Sequence, residues 1–452
     1  MNICSTIEKS RIKAFAFVFC LLTLLACGGG SNSDQSKTGE TNRSKATIEW
    51  KDFLGVNAHL LWFDQNAQEK QILKLEELGL EWVRIDVHWA LHEPTRGDYR
   101  LEELDGAINA AQKHSLKTLV YVVGSAPHAA SGNDNDAYPP KDPALYSEFI
   151  AILAKRYPSV SAWQIWNEPN LHAFWLPAPD PSAYAKLLAS AVETLRAADP
   201  NKPIVMSGMA YYSQIPSQSS ETRLMFSELN ATGAFDLNTI AAYHPYSLYP
   251  EGDRPIDKDF LIFAPKLNEM LRGFKVPAIW ATEWGWSSYD GEIEEQPIIG
   301  EEGQANYLLR RLSLMSVMDY DKIFLFALSD LDERASRRDR CYGLLDLQGD
   351  PKPAYTALKN FLVVTGAKIE KAQTPSNVSA PDGVFHVSWR REDSSRLLAF
   401  WSDSNGAVVK LSNVDKAELC APLSSANCEP KIGDENRELE VVAKPQLQIL
   451  VW

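Results

Sequence analysis

Two glutamates occupy matching places in this chain. Trp163-Gln164-Ile165-Trp166 is an apolar strand pattern that stops at Asn167-Glu168-Pro169-Asn170, and Ala278-Ile279-Trp280-Ala281-Thr282 runs in the same way into Glu283-Trp284-Gly285-Trp286. Each carboxyl group therefore stands at a strand end among large aromatic side chains. Two carboxyls that face one another can divide labour, one kept protonated by surroundings that raise its pKa while the other stays ionised. On an acetal this supplies a proton donor and a nucleophile. A separation of about 5 to 5.5 Å lets the second carboxylate attack directly with retention of configuration, whereas a wider gap admits a water and inverts it. The chemistry depends on whether the fold brings the two strand ends together.

From Asp52 onward, short β-branched and apolar runs alternate with longer amphipathic ones, the pattern of parallel strands covered by helices. The strand-like runs are Phe53–Asn57, Trp82–Val87, Thr118–Val123, Ala162–Trp166, Pro203–Ser207, Thr239–Ala242, Ala278–Thr282 and Ile323–Ala327, eight in all. Asp180-Pro181-Ser182 opens a helix that Asp199-Pro200-Asn201 stops, an Asp cap followed by Pro in the first turn. Other helical stretches run roughly from Asn66 to Gly79, Leu101 to His114, Pro143 to Tyr157, Asp259 to Arg272, Ala305 to Met318 and Pro353 to Leu362. Eight such units predict a closed (β/α)₈ barrel over residues 48–366, in which function sits at the carboxyl ends of the strands. Glu168 and Glu283 follow the fourth and seventh runs, so the barrel would place both on that face. An open doubly wound sheet is the alternative, and no Gly-rich phosphate turn follows the first strand to favour it.

Past Gly366 the helical period disappears. Residues 372–382 read as a linker or crossing strand, and Val384–Trp389, Arg396–Trp401, Ala407–Leu411 and Gln446–Val451 predict a small antiparallel β-sandwich over 367–452. At the other end, Lys9, Arg11 and Lys13 precede an apolar run from Ala14 to Ala26 that is too short to span a membrane permanently. Leu24-Leu25-Ala26-Cys27 resembles a bacterial lipobox, so residues 1–26 are expected to be a lipoprotein signal and Cys27 the lipidated anchor. Residues 27–47, rich in Gly, Ser, Asn and Thr, would be a flexible tether. The expected location is the bacterial cell envelope, at the outer membrane or periplasm.

The formal net charge of −14, from 59 acidic against 45 basic residues, works against binding phosphate backbones, so nucleic acid is not an expected partner. Of the six cysteines, Cys4 and Cys20 leave with the signal, Cys420 and Cys428 are spaced for a short-loop disulfide, and Cys341 reads as a free buried thiol. No Cys/His spacing suggests zinc. His88 and His92 bracket a strand end and a loop, which argues against a metal pair. The acidic stretches Asn133–Asp136 and Gly291–Glu295 read as solvated surface in preference to calcium loops.

Ile165-Trp166-Asn167-Glu168-Pro169 and Thr282-Glu283-Trp284-Gly285 resemble the retaining glycoside hydrolases of clan A. Tyr243-His244-Pro245-Tyr246 after the sixth strand, Tyr342–Asp346 and Lys352-Pro353-Ala354-Tyr355 are similar to family 39 in particular, including its biofilm-polysaccharide endoglycosidases. The resemblance implies Glu168 as acid/base, Glu283 as nucleophile, and Asn167 on the 2-hydroxyl of the sugar being cleaved. Arg84 would hold Glu283 ionised, His244 and Tyr246 would orient the nucleophile or line the central subsite, and His59 would touch sugar hydroxyls. Trp175, Trp284 and Trp286, with Trp62 and Trp89, fall in or near loops after strands, where flat rings can stack on sugars. The chain departs from the clan at the eighth strand, where Phe326-Ala327-Leu328-Ser329-Asp330 lacks the Trp that often floors the cleavage subsite and leaves Phe326 or Asp330 to fill it. The reading is a monomeric, cofactor-free and metal-free retaining enzyme that cleaves a β-linked poly- or oligosaccharide, with endo action on exopolysaccharide preferred. An exo-acting β-xylosidase-like enzyme and a catalytically silent polysaccharide-binding lipoprotein are the alternatives.

Overall fold

The computed structural model describes residues 46–133, 135–212, 224–252, 259–291, 297–403 and 406–452. The proposed signal, Cys27 and nearly all of the tether lie outside them, as do Asp134 and residues 292–295 of the two acidic stretches. Among the described residues, no helix is long and apolar enough to cross a membrane.

The chain enters through a short strand, β1 (Thr47–Glu49), and then builds β2 (Leu54–Asn57), β3 (Trp82–His88), β4 (Lys117–Val123), β5 (Ala162–Ile165), β6 (Ile204–Tyr212), β7 (Ile240–Tyr246), β8 (Ile279–Ala281) and β9 (Lys322–Leu325). Strands β2 to β9 form a closed parallel barrel, β2 pairing with both β3 and β9. Three of the helices between them start at an Asp cap. The carboxylates of Asp64, Asp142 and Asp180 each accept a backbone N–H of the first turn, and Pro143 and Pro181 occupy that turn behind the last two.

Because side chains alternate along a strand, every second residue points into the barrel, and the interior changes character from bottom to top. At the amino ends, Trp82, Leu119, Ala162, Val205, Ile240, Trp280 and Phe324 make an aromatic plug. Gly55 is needed beside it, since a Cβ there would stand 2.5 Å from the Phe324 ring. Two residues further along the same strands come Asn57, Arg84, Gln164 and Thr282, a buried polar layer directly beneath the carboxyl-end face.

The C-terminal region is a two-sheet β-sandwich. Its strands are β10 (Lys368–Ala372), β11 (Val378–Ser379), β12 (Phe385–Arg391), β13 (Arg396–Trp401), β14 (Val408–Ser412), β15 (Lys416–Cys420), β16 (Cys428–Ile432), β17 (Glu438–Val442) and β18 (Gln448–Val451). One sheet has the order β1-β10-β12-β13-β18-β15-β16 and the other β11-β14-β17, with Leu398, Phe400, Val409, Leu411, Leu439 and Leu450 between them. The opposite face of the larger sheet, including Ile369, Trp389, Leu397 and Trp401, belongs to the same apolar core as the barrel.

The sandwich holds more strands than its apolar runs predict. β15 and β17 are five-residue strands that bury only Ala417 and Cys420, and Leu439 and Val441, among exposed charged residues, and β16 buries none, so no continuous apolar run marks any of them. Thr47–Glu49, where tether was expected to give way to barrel, instead forms the edge of the larger sheet against β10. Cys420 and Cys428 are directly opposed on β15 and β16 and are bonded. Closing so short a loop restricts the unfolded chain modestly, so Cys420→Ser with Cys428→Ser should lower stability by ~2–3 kcal/mol. The shift in the denaturant midpoint under non-reducing conditions measures this.

Candidate active site

Glu168 reaches its position through an unusual corner. Trp166 and Glu168 both have positive φ, 72° and 42°, a region L-residues adopt only where their surroundings compel it. Here Trp166 N–H donates to Val122 O (3.0 Å) and Glu168 N–H to Gly208 O (3.1 Å), while the Trp166 indole packs between Tyr146 and Trp175 and donates to Phe174 O (3.0 Å). The aromatic residues around the Asn-Glu corner thus build the turn. Glu283 follows β8 through Thr282, and Gly285 lets the chain pass Phe326 O, which a Cβ would approach to 2.3 Å.

Arg84 stands beneath both glutamates. Its Nη1 donates to Glu283 Oε1 (2.6 Å) and Asn57 Oδ1 (2.7 Å), Nε to Gln164 Oε1 (2.8 Å) and Nη2 to Asn167 Oδ1 (3.3 Å). The guanidinium lies 3.6 Å from the centroid of the Tyr121 ring. Tyr246 Oη donates to Glu283 Oε2 (3.3 Å). The His244 ring spans the pair, with Nδ1 2.7 Å from Glu168 Oε1 and 3.5 Å from Glu283 Oε2, and Nε2 3.0 Å from Thr282 Oγ1. One oxygen of each glutamate and a nitrogen of His244 lie within 4.8 Å of one another. Gly208 makes room for the ring, since a Cβ would fall 2.0 Å from His244 Nε2.

The carboxyls are buried, Glu168 4% and Glu283 8% exposed, at the floor of a cavity of ≈ 690 Å³. Burial pushes Glu168 up to about 8 against the pull of Arg84, which holds Glu283 directly and reaches Glu168 only across the site. Burial likewise lowers His244 to about 4, more than Glu283 restores, so the ring is neutral at pH 7. Further along the wall, burial alone would raise Asp86, but the attraction and hydrogen bonds of His59 (3.2 Å) and His88 (3.5 Å) outweigh it and hold the carboxyl below its usual range. Glu168, His244 and Glu283 form a three-donor cluster that meets the spacing for a metal. The donor chemistry suits one poorly, because Glu168 is protonated at neutral pH and Glu283 is already paired with a guanidinium.

The structure brings Glu168, Glu283, Asn167, Arg84, His244, Tyr246 and His59 together. It does not bring three of the expected tryptophans. Trp175 is 1% exposed and packs on Trp166 and Tyr184, Trp284 is fully buried, and Trp286 is spent on Ser247 O and Leu248 O, so none presents a face to the cavity. Trp89 is buried as well and donates to Glu93. Trp62, Phe326 and Tyr342 line the cavity instead, and Phe326 sits 5.3 Å from both the His59 and Tyr342 rings. Asp330 is drawn away by Lys352 (2.9 Å). His92 binds Arg100 O and does not join His88 in a metal site. Cys341 is a free thiol pushed up by burial.

Sequence reasoning assigned no site role to Asn57, Tyr121, Gln164, Thr282 or Gly208, and considered His88 only as half of a metal pair. Inward alternation from Ala162 and Trp280 would have found Gln164 and Thr282. Gly208 follows a register shift in β6 after Val205, which no period in the sequence signals.

An eight-stranded parallel barrel with two buried glutamates after its fourth and seventh strands, an arginine between them and an Asn beside the first, defines a glycoside hydrolase of clan A. The chain belongs to the cellulase family, glycosyl hydrolase family 5, which it matches over residues 41–315. In overall fold it is similar to a family 39 glycoside hydrolase from Bacteroides cellulosilyticus WH2, with a TM-score of 0.66 at 19% identity, covering 91% of this chain and 81% of that one. A family 39 enzyme from Xanthomonas axonopodis pv. citri gives 0.58 at 16% identity over 90% and 95% of the two chains. In sequence it is 26% identical over 157 residues to a probable mannan endo-1,4-beta-mannosidase F of Aspergillus oryzae, covering 27% of this chain. The match spans about a third of that relative's length, 34%.

The raised Glu168 links stability to pH. Between the carboxyl's unfolded value, about 4.3, and its folded value of about 8, the unfolded chain releases this proton and the folded chain keeps it, so stability falls as pH rises through that window. Glu168→Gln removes the effect. The variant should gain stability relative to wild type from pH 4.5 to pH 8, as read from urea midpoints at the two pH values.

Proposed function

We propose that the chain is a retaining glycosidase acting on β-linked glycans, with Glu168 as acid/base and Glu283 as nucleophile. The observation that carries this reading is the carboxyl pair itself: oxygens within 4.8 Å leave no room for an attacking water between the glutamate and the anomeric carbon. Glu283, paired with Arg84 and Tyr246, attacks the anomeric carbon. The bond to the leaving oxygen breaks as Glu168 gives it a proton, and the sugar is left esterified to Glu283. Glu168, now ionised, takes a proton from water, the water attacks the same carbon, and Glu283 is released. His244 Nδ1, 2.7 Å from Glu168, is placed to donate to the carboxylate in the interval, provided Nε2 accepts from the Thr282 hydroxyl. Gln164 Nε2, which donates to Thr282 Oγ1 at 3.2 Å, favours that arrangement by leaving the hydroxyl proton for the ring.

Asn167 lines the cavity with its oxygen turned to Arg84, which leaves its amide N–H groups for the sugar 2-hydroxyl. His59 and Trp62 extend the wall. The finer reading is endo cleavage of an exopolysaccharide by an enzyme held at the envelope through Cys27. The lipobox-like Leu24–Cys27 and the long polar tether support it, since a tethered enzyme meets polymer at the surface. The similarity to a probable mannan endo-1,4-beta-mannosidase makes mannan a natural member of the substrate panel.

Glu283→Gln should be inert on β-glycans and on aryl β-glycosides. Glu168→Ala should lose about 10²–10⁴-fold on poor leaving groups and far less on dinitrophenyl glycosides. Proton NMR of the first product should show the β-anomer. If wild type and Glu283→Gln both bind glycan and neither turns it over, the silent binding protein is the correct reading. The kcat/KM profile should fall on the alkaline side near pH 8, as the proton donor is lost. Product length separates endo from exo action, a ladder of oligosaccharides against monosaccharide alone. For the anchor, Cys27→Ser should abolish incorporation of labelled palmitate and release the protein from the membrane fraction.

A further inference from the structure

We propose that two adjacent arginines, Arg310 and Arg311 on the helix Gly300–Val317, act as positioning residues for the segment carrying His244 and Tyr246, and that Trp401 ties them to the C-terminal domain. The proposal takes from the glycosidase reading what that segment does. How the segment is held rests on packing alone.

Arg311 is fully buried. Its Nη1 donates to Pro245 O (2.7 Å), the carbonyl between His244 and Tyr246, and its Nε donates to Pro250 O (2.7 Å). Nη2 reaches Tyr249 O (3.2 Å) and the Ser247 hydroxyl. The guanidinium lies 3.5 Å from the Phe260 ring centroid. Trp286 Nε1 takes the neighbouring carbonyls, Ser247 O (2.9 Å) and Leu248 O (3.1 Å). The carbonyls of residues 245, 247, 248, 249 and 250 are therefore all fixed by two buried side chains, although the segment past Tyr246 belongs to no regular element. A buried guanidinium is costly unless its donors are met, so the loop can relax only by breaking several charge-assisted bonds together.

Arg310 continues the device outward. Its guanidinium pairs with both oxygens of Glu251 (2.9 and 2.7 Å), and both residues are buried. Glu251 Oε1 also accepts the indole N–H of Trp401 (2.8 Å), a fully buried residue of β13 stacked on Phe385. Neither arginine, Glu251 nor Trp401 lines the catalytic cavity. They bear on it through Tyr246, whose 3.3 Å bond to Glu283 is long enough to be sensitive to small displacements.

Arg311→Lys and Trp401→Phe in the full chain test this; the second keeps a ring on Phe385 and removes the N–H. With a dinitrophenyl β-glycoside, kcat should fall about tenfold for Trp401→Phe and about a hundredfold for Arg311→Lys, the scale of a 1 Å misplacement, with KM within about twofold. Inactivation by the matching 2-deoxy-2-fluoro glycoside, which reads attack by Glu283, should slow in parallel. Independently of turnover, the His244 signal in ¹⁵N-histidine NMR, assigned by its loss in His244→Gln, should move in both variants. If Arg311→Lys does not fold, Trp401→Phe decides alone. An unchanged His244 signal and trapping rate, or a loss confined to thermal stability, overturns the proposal. An inert wild type would sink the glycosidase reading instead, and the NMR shift would still decide this one.

Discussion

The barrel's upper half depends on one buried cation. Arg84 is 1% exposed, and a guanidinium taken out of water to that extent destabilises a fold unless every donor finds an acceptor. The acceptors come from three other strand ends: Asn57 at the first barrel strand, Gln164 and Asn167 at the fourth, and Glu283 at the seventh. Meeting the needs of one side chain therefore fixes the relative positions of elements more than two hundred residues apart. Asn57 passes the constraint on, since its amide donates to Thr282 O and Leu325 O and so registers the seventh and eighth strands as well.

That arrangement also explains how two glutamates in one small site come to differ. Arg84 touches Glu283 and not Glu168, while both are buried to a similar degree. Desolvation acts on Glu168 with little to oppose it, and its proton is retained at neutral pH. The asymmetry lies in the acceptor map of the guanidinium, which contacts the Asn before one glutamate and the carboxylate of the other. The division into proton donor and nucleophile proposed for the site follows from that geometry.

How much of this was legible in the residues varies with the range of the interaction. The strand count, the helix cap at Asp180-Pro181 and the two strand-end glutamates are local patterns, and the barrel topology brings such ends to one face. Arg84 came from the family resemblance and not from the strand pattern, in which a buried charge marks the need for a partner without naming it. The tryptophans misled, because an aromatic residue after a strand reads alike whether it faces a sugar or fills the space behind a turn. Trp166 and Trp175 brace the left-handed corner at Glu168, and Trp286 holds loop carbonyls. Gly208 and β15 to β17 were hidden for different reasons: a register shift is settled by a neighbouring strand distant in sequence, and five-residue strands with at most two buried side chains leave no apolar run to read.

The same distinction bears on the C-terminal domain. Seen as sequence it is an appendage, with alternating strands and no group of its own that suggests chemistry. Packed on the barrel, it contributes Trp401 to a carboxylate that already binds Arg310, and it buries Trp389 against the same helix through Ser316. That helix carries Arg311, whose donors hold the loop beyond His244 and Tyr246. A barrel loop must leave the sheet's hydrogen bonding to reach a substrate, and it then needs other donors for its carbonyls. Here the barrel supplies them from a neighbouring helix, and the second domain covers that helix, so that the polar groups fixing the loop stay buried and satisfied.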